Sequence, residues 1–324
     1  MTVRNEETIL VTGATGQIGS ELVMSLRKRL GGKKVVALGH RRDPPESIAN
    51  SGPFERGDVT VLSELREIVE RHGVSQIYHL AAVLSAVGEK EPQRAWDMNM
   101  GGLQNVLELA RAKGTKVFWP SSIAVFGRGY PRDRTPQETV LLPTTMYGVT
   151  KVAGELLCDY YNRKYGVDVR SVRFPGIISA DTPPGGGTTD YAVAIFYEAV
   201  RHRRYECFVR PDTVLPMVYM PDCLDAILKI MEAEPSSIRR RDAYNLNSMS
   251  FSAAELVAEI QRFVPEMEVS FIPDFRQAIA DSWPRSLDDK AARLDWGWCP
   301  KYDLAAMTED MMAELTKKQE LGQL

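Results

Sequence analysis

The chain has 324 residues, 44% of them hydrophobic and 26% charged, with a net charge of −3. Such a length holds one large α/β domain, or a nucleotide domain with a smaller second one. The near-neutral balance gives no long-range pull on nucleic acid or an anionic membrane, and no apolar run approaches the roughly 18 residues of a membrane span.

The opening, M-T-V-R-N-E-E-T, carries two acids and enters a strand at once. It is unlike a secretory signal or an Arg-rich transit peptide, and we expect a cytoplasmic protein. Short apolar runs then alternate with amphipathic ones, the pattern of βαβ units around a parallel sheet. Strands are predicted at 8–12, 34–38, 76–80, 116–120 and 167–173, with helices at 18–30, 61–71, 92–113 and 147–165. After Pro175 the rhythm changes. The run D-T-P-P-G-G-G-T-T (181–189) excludes regular structure and is either a linker or a mobile active-site loop. Further on, a strand is predicted at 215–219, a helix at 221–234 and a strand at 243–246. A helix at 252–263 opens on the capping box Ser252–Glu255, and the last helix spans 303–318. Residues 1–175 read as a dinucleotide-binding unit to which 213–248 returns. Residues 176–212 and 249–324 read as a small substrate-binding cap on a doubly wound, Rossmann-type α/β fold. Cys158, Cys207, Cys223 and Cys299 are scattered without a C-x-x-C pair, which argues for a reducing compartment. No histidine has ligand spacing, so no metal is expected.

The first strand runs into L-V-T-G-A-T-G-Q-I-G (10–19) and then a helix, the context a dinucleotide turn requires. Gly13 serves the tight turn and Gly16 lets the backbone approach a pyrophosphate. Gly19 lets helix and strand pack closely, while Gln17 and Ile18 open the helix whose N-terminus faces the phosphates. Asp58 with Val59, and Leu80, Ala81 and Ala82, end later strands on the same edge, where adenine and ribose would lie. Asp58 is also a candidate N-cap for the 61–71 helix, a role for which Thr60 competes. An NAD-specific fold normally ends its second strand with an acid that holds the ribose 2′-hydroxyl. Here the strand ends L-G-H-R-R-D, with Gly39 at that place. Gly39 leaves space there, and the readings stay open: Arg41 and Arg42 face a 2′-phosphate, or they are simply solvated, or Asp43 reaches back; His40 beside them is counted with the cofactor residues.

Tyr147 and Lys151, in Y-G-V-T-K, project from one helix face. A free phenol titrates near 10, and an ammonium one turn away is expected to favour the phenolate. Taken together, T-G-A-T-G-Q-I-G, H-L-A-A, P-S-S-I-A-V-F-G and Y-G-V-T-K resemble the extended short-chain dehydrogenase/reductase family. Within it, L-S-A-V-G-E-K, N-M-G-G-L-Q-N-V-L-E-L-A, R-F-P-G-I-I-S, G-G-T-T-D-Y-A and D-S-W-P-R-S-L-D-D are similar to its threonine-dehydrogenase branch. Gly39 departs from that branch, which usually carries an acid there.

The resemblance implies oxidation of the C3 hydroxyl of L-threonine with NAD, with NADP use raised by the missing acid. It implies Tyr147 as proton acceptor, Lys151 as its electrostatic partner and ribose ligand, and Ser122, with Ser121 beside it, in the serine place. Read alone, Ser122 is also an ordinary turn-former. Asn99 and Pro175 are implied near the cofactor, although Asn99 also reads as a polar residue on a solvated helix face. Ser85, Gly186, Thr188, Thr189 and Trp283 are implied around the substrate, although a lone Trp is more often core. A homodimer pairing the 92–113 and 147–165 helices is implied too. The rival readings are a sugar-nucleotide epimerase or dehydratase, gripping a diphosphate with Arg201, Arg203 and Arg204, and a non-catalytic dinucleotide sensor.

Overall fold

The strands, in chain order, begin with β1 (Thr8–Thr12), β2 (Val35–Gly39), β3 (Phe54–Arg56), β4 (Val74–His79), β5 (Lys116–Phe118), β6 (Ser121–Ser122) and β7 (Val169–Arg170). They continue with β8 (Val172–Phe174), β9 (Gly176–Ile178), β10 (Arg204–Cys207), β11 (Val214–Tyr219), β12 (Tyr244–Asn245), β13 (Met249–Ser252) and β14 (Glu268–Phe271). This is a computed structural model that describes residues 7–324. Most of the N-terminal segment read above for a leader lies outside the described residues.

Six strands form one parallel sheet in the order β3-β2-β1-β4-β5-β7. The order reverses between β1 and β4, and in such sheets ligands bind beyond the strand carboxyl ends at that reversal. Successive residues of β1 serve opposite faces: Ile9 and Val11 join one buried cluster and Leu10 another. Both faces are therefore covered, which is why these strands read as continuous apolar runs. Leu22, Val23 and Leu26 of the helix Gln17–Leu30 and Ile227 and Ile230 of Met220–Glu232 fill the first cluster. The helices Leu62–His72 and Gly102–Lys113 fill the second, with Cys158 and Tyr161 of Met146–Tyr165. A third cluster joins Tyr191–His202, Trp283 and the C-terminal helix Leu304–Glu320.

Several expectations are corrected. The run 92–113 is interrupted by a π-helical turn, Asp97–Gly101, between Pro92–Trp96 and Gly102–Lys113. The run 167–173 divides into β7, in the main sheet, and β8, in a small sheet ordered β12-β8-β6. The helix Tyr191–His202 went unpredicted because Tyr191, Val193, Ile195, Phe196 and Ala199 are all buried, leaving little polar face to mark a period. The three-residue edge strand β3 is too short to show alternation. The box at Ser252 and Glu255 is present.

A buried ion pair joins the small sheet to the long helix. Glu155 accepts from Arg173 Nε and Nη2, both at 2.8 Å, and from the Ser121 hydroxyl at 2.5 Å. Arg173 also donates to the Gln137 carbonyl and to Asn245 Oδ1. Both charges are at most 3% exposed, so removing one strands the other. Glu155→Ala should lower stability by about 3–5 kcal/mol, read by chemical denaturation.

Candidate active site

Tyr147 and Lys151 sit in the first turns of Met146–Tyr165, where Thr145 caps the helix by accepting the Gly148 N–H at 3.0 Å. The helix lies hard against the strand ends. A Cβ on Gly148 would stand 2.2 Å from the Ala124 carbonyl oxygen, and one on Gly154 2.4 Å from the Trp119 ring. Lys151 is buried; its Nζ donates to the Pro120 carbonyl at 2.6 Å and stands 4.4 Å from the Trp119 centroid and 5.4 Å from that of Tyr147. Burial pulls Lys151 down to about 7, with Cys158 and Glu155 resisting.

The expected depression of Tyr147 by Lys151 is absent. Burial pushes the phenol up to about 12, and its hydrogen bond with Ser122 is what pulls it back. Ser122 ends β6, where its hydroxyl also accepts the Ala124 N–H at 3.2 Å. Burial dominates, and Lys151 is itself desolvated and donates to the Pro120 carbonyl.

The glycine turn fits a dinucleotide. Gly13 has φ +67°, and a Cβ there would meet the Ala81 backbone at 2.7 Å; one on Gly19 would meet the Gly13 carbonyl at 2.1 Å. The turn lines a cavity of about 240 Å³ with Gln17, Ile18, Leu80, Ala82 and Pro175. Ser121, Ser122, Tyr147 and Lys151 line it as well, and so do Ser85, Thr188, Thr189 and Trp283. Two of these carry buried polar atoms without a partner: Thr188 Oγ1 and Trp283 Nε1. The Ser121 hydroxyl is taken by Glu155. Gly176, Gly187 and Asp190 join the lining unpredicted.

The other expected residues lie off this lining. Ala81 supports the turn through its backbone. Gly186, at φ +90°, yields its place to Gly187. Asn99 sits in the π-helical turn, accepting the Val83 N–H at 2.7 Å and donating to the Val83 carbonyl and Thr150 Oγ1, both at 3.1 Å. It is no solvated surface residue but ties the strand-end loop to the residue before Lys151. Val59 is buried in the core cluster with Leu65 and Leu103.

At the end of β2, His40 and Arg41 are exposed, with His40 Nε2 3.7 Å from Asp58 Oδ2. Asp58 Oδ1 accepts the Thr60 N–H and hydroxyl at 2.9 and 2.7 Å, so it closes the turn before a helix whose own cap position is Val61. Burial opposes its charge, but the Thr60 bonds and the nearby His40 and Arg41 hold the carboxyl below the usual range. Asp43 does not reach back to Gly39; Arg56 holds it. Glu155, Arg173, Thr150 and Trp119 were missed. Only the Lys151–Glu155 spacing, one helical turn, was legible.

A parallel sheet with a glycine-turn cleft at its order reversal defines a dinucleotide-binding α/β protein. The profile of the NAD dependent epimerase/dehydratase family matches residues 9–246, and the chain belongs to that family. It is 51% identical over 315 residues to an uncharacterized epimerase/dehydratase of Staphylococcus haemolyticus, covering 97% of this chain and 99% of that one. It is similar to the solved L-threonine dehydrogenase from Clostridium difficile, at 49% identity and TM-score 0.94, covering 96% and 98% of the two chains. An L-threonine 3-dehydrogenase from a metagenome, described as monomeric, aligns at 47% identity and TM-score 0.92, covering 96% and 99%.

Ser122→Ala removes the one group that lowers Tyr147. The acid-side limb of the kcat/KM–pH profile, along which Tyr147 must lose its proton, should move to higher pH, with a rate loss of about 10²-fold at neutral pH. Tyr147→Phe should lose ~10² or more at every pH with the fold intact, checked by circular dichroism.

Proposed function

We propose that the chain is an L-threonine 3-dehydrogenase, oxidising the C3 hydroxyl of L-threonine to L-2-amino-3-oxobutyrate with NAD. The observation that carries this reading is the cavity's polar set. Ser122 and Tyr147 face Ser85, the unpartnered Thr188 hydroxyl and the unpartnered Trp283 indole, and no arginine lies on the described lining. Hydroxyls and loop N–H groups suit a small amino acid, whereas a sugar-nucleotide diphosphate would want cations. The arginines of that rival reading are engaged elsewhere: Arg201 lies over Tyr197 and Arg203 pairs with Glu266, while Arg204 is exposed on β10.

Gly13, Gly16, Gly19 and the helix start they open would hold the pyrophosphate, and Lys151 the ribose beside the nicotinamide. When bound, NAD supplies the hydride acceptor for the C3 hydrogen. Ser122 orients the substrate oxygen, and Tyr147, as phenolate, takes its proton. Deprotonating a phenol pushed up to about 12 is the demanding part, so the Ser122 contact is central. Trp283 and the 181–189 loop exclude water. The retained Tyr147 and Lys151 argue against a non-catalytic sensor. Residues 1–175 with 213–248 form the dinucleotide unit and the remainder the cap, in a cytoplasmic enzyme. Exposed Trp96, Val149, Leu156 and Tyr160 support a homodimer through the paired helices.

With purified protein, L-threonine should reduce NAD, while UDP-glucose and UDP-galactose should not. Turnover of either sugar nucleotide without threonine oxidation would contradict the assignment. NAD should be the working cofactor with measurable NADP use, since the lost acid removes both a ribose hydrogen bond of ~1 kcal/mol and a charge repelling the 2′-phosphate. Gly39→Asp should depress the kcat/KM for NADP selectively. A Cβ there stands 2.7 Å from Phe54 Cζ, so that ring must swing and some thermal stability is lost as well.

A further inference from the structure

The 181–189 loop is held at both ends. Asp190 grips its far end, Oδ2 accepting the N–H groups of Gly185 and Gly187 at 2.6 and 2.8 Å. Its near end, where β9 gives way to Ser179 and Ala180, is gripped by three separate elements. Ser179, fully buried, donates its hydroxyl to Glu21 Oε1 at 2.6 Å and accepts the N–H groups of Asp181 and Thr182 at 3.0 and 3.2 Å. Tyr197 donates to the Ala180 carbonyl at 2.9 Å. Lys318, from the last turn of the C-terminal helix, donates to the same carbonyl at 2.8 Å and pairs with Asp181. Glu21 belongs to Gln17–Leu30, the helix that leaves the glycine turn. Nothing in the chemistry above uses it, and a carboxyl partly withdrawn from water is costly without a role.

We infer that Glu21 is a positioning residue: through Ser179 it fixes the base of the 181–189 loop to the helix whose N-terminus faces the dinucleotide site. Dinucleotide and substrate loop are then set by one rigid connection, with Lys318 closing it from the other side. The inference rests on the reading that this loop covers the substrate.

The electrostatics of the contact give it a signature. Burial raises Glu21 from 4.5 to about 7; the Ser179 bond and Lys318 lower it, and Asp181 raises it further. Tyr197, Tyr219 and Cys223 also face its charge. An acid raised in the folded state favours folding below its unfolded value, and that contribution is lost as pH climbs through the folded one. The wild-type Tm should therefore fall between pH 5 and pH 8 relative to Glu21→Gln, which cannot ionise.

The test uses the full chain with Glu21→Ala, Glu21→Gln, Lys318→Ala and the Glu21→Ala/Lys318→Ala double variant. Glu21→Ala should raise KM for L-threonine about 10-fold, with kcat and the NAD dissociation constant within about 2-fold of wild type. Glutamine, whose Oε1 still accepts from Ser179, should recover most of the loss. The double variant should cost less than the sum of the singles, because both act on one loop base. A KM unchanged in Glu21→Ala, or an NAD affinity reduced as much as KM rises, would overturn the inference, as would additive singles or parallel Tm–pH curves. Limited proteolysis within 181–189 needs no substrate and separates this idea from the choice of threonine. NAD alone should slow cleavage in wild type and not in Glu21→Ala. Equal protection in the two would overturn the inference, whatever substrate the protein takes.

Discussion

The close approach of the helix Met146–Tyr165 to the ends of β5 and β6 is the constraint from which the cleft follows. Two positions on that helix admit no side chain, Gly148 against the Ala124 carbonyl and Gly154 against the Trp119 ring. Lys151 is thereby driven under the strand ends until its ammonium meets the Pro120 carbonyl. One turn further, Glu155 fastens the helix to Ser121 and Arg173. A buried pair of this kind adds little net stability, since desolvation offsets most of the attraction. Its effect is geometric: β6, which carries Ser122, and the helix that carries Tyr147 are clamped to each other. The register between Tyr147 and Ser122 therefore does not depend on a flexible loop.

The same closeness sets the electrostatic problem of the site. Withdrawing Tyr147 and Lys151 from water disfavours the charged form of each, so the phenol rises and the ammonium falls. Burial therefore works against the phenolate–ammonium pair that their spacing suggests. Ser122 is the contact that draws the Tyr147 phenol back down against that burial. Asn99 acts at a remove, through Val83 and Thr150, and its place in a π-helical turn fits a segment shaped by more than helix propensity.

What the sequence made legible was what is local. The glycine turn, the strand before it and the helix after it are one continuous stretch, and all appear where their residues imply. Tyr147 and Lys151 share a helix face for the same reason. The loop 181–189 was readable because Pro and Gly exclude regular structure whatever surrounds them. What escaped is long-range. Arg173 is 18 residues from Glu155 and pairs with it only once β8 lies beside β6. Tyr191–His202 hides its period by being buried nearly all round. Asp58 was ambiguous because an adenine contact and a helix N-cap ask for the same carboxylate; the cap position is Val61, and Thr60 engages one carboxylate oxygen, Oδ1. The expectation that Lys151 lowers the Tyr147 phenol failed because spacing counts neighbouring charges but carries no information on desolvation.

In the proposed reaction Tyr147, with Ser122 orienting the oxygen, takes the proton of a C3 hydroxyl while the C3 hydrogen leaves as hydride. L-threonine deuterated at C3, with NAD and the purified protein, addresses it directly. Mass spectrometry of the reduced dinucleotide should find the deuterium on its nicotinamide ring, with a primary isotope effect on the chemical step when turnover is followed in single-turnover mode. Deuterium lost to water, or threonine consumed while the dinucleotide stays unlabelled, would contradict hydride transfer from C3.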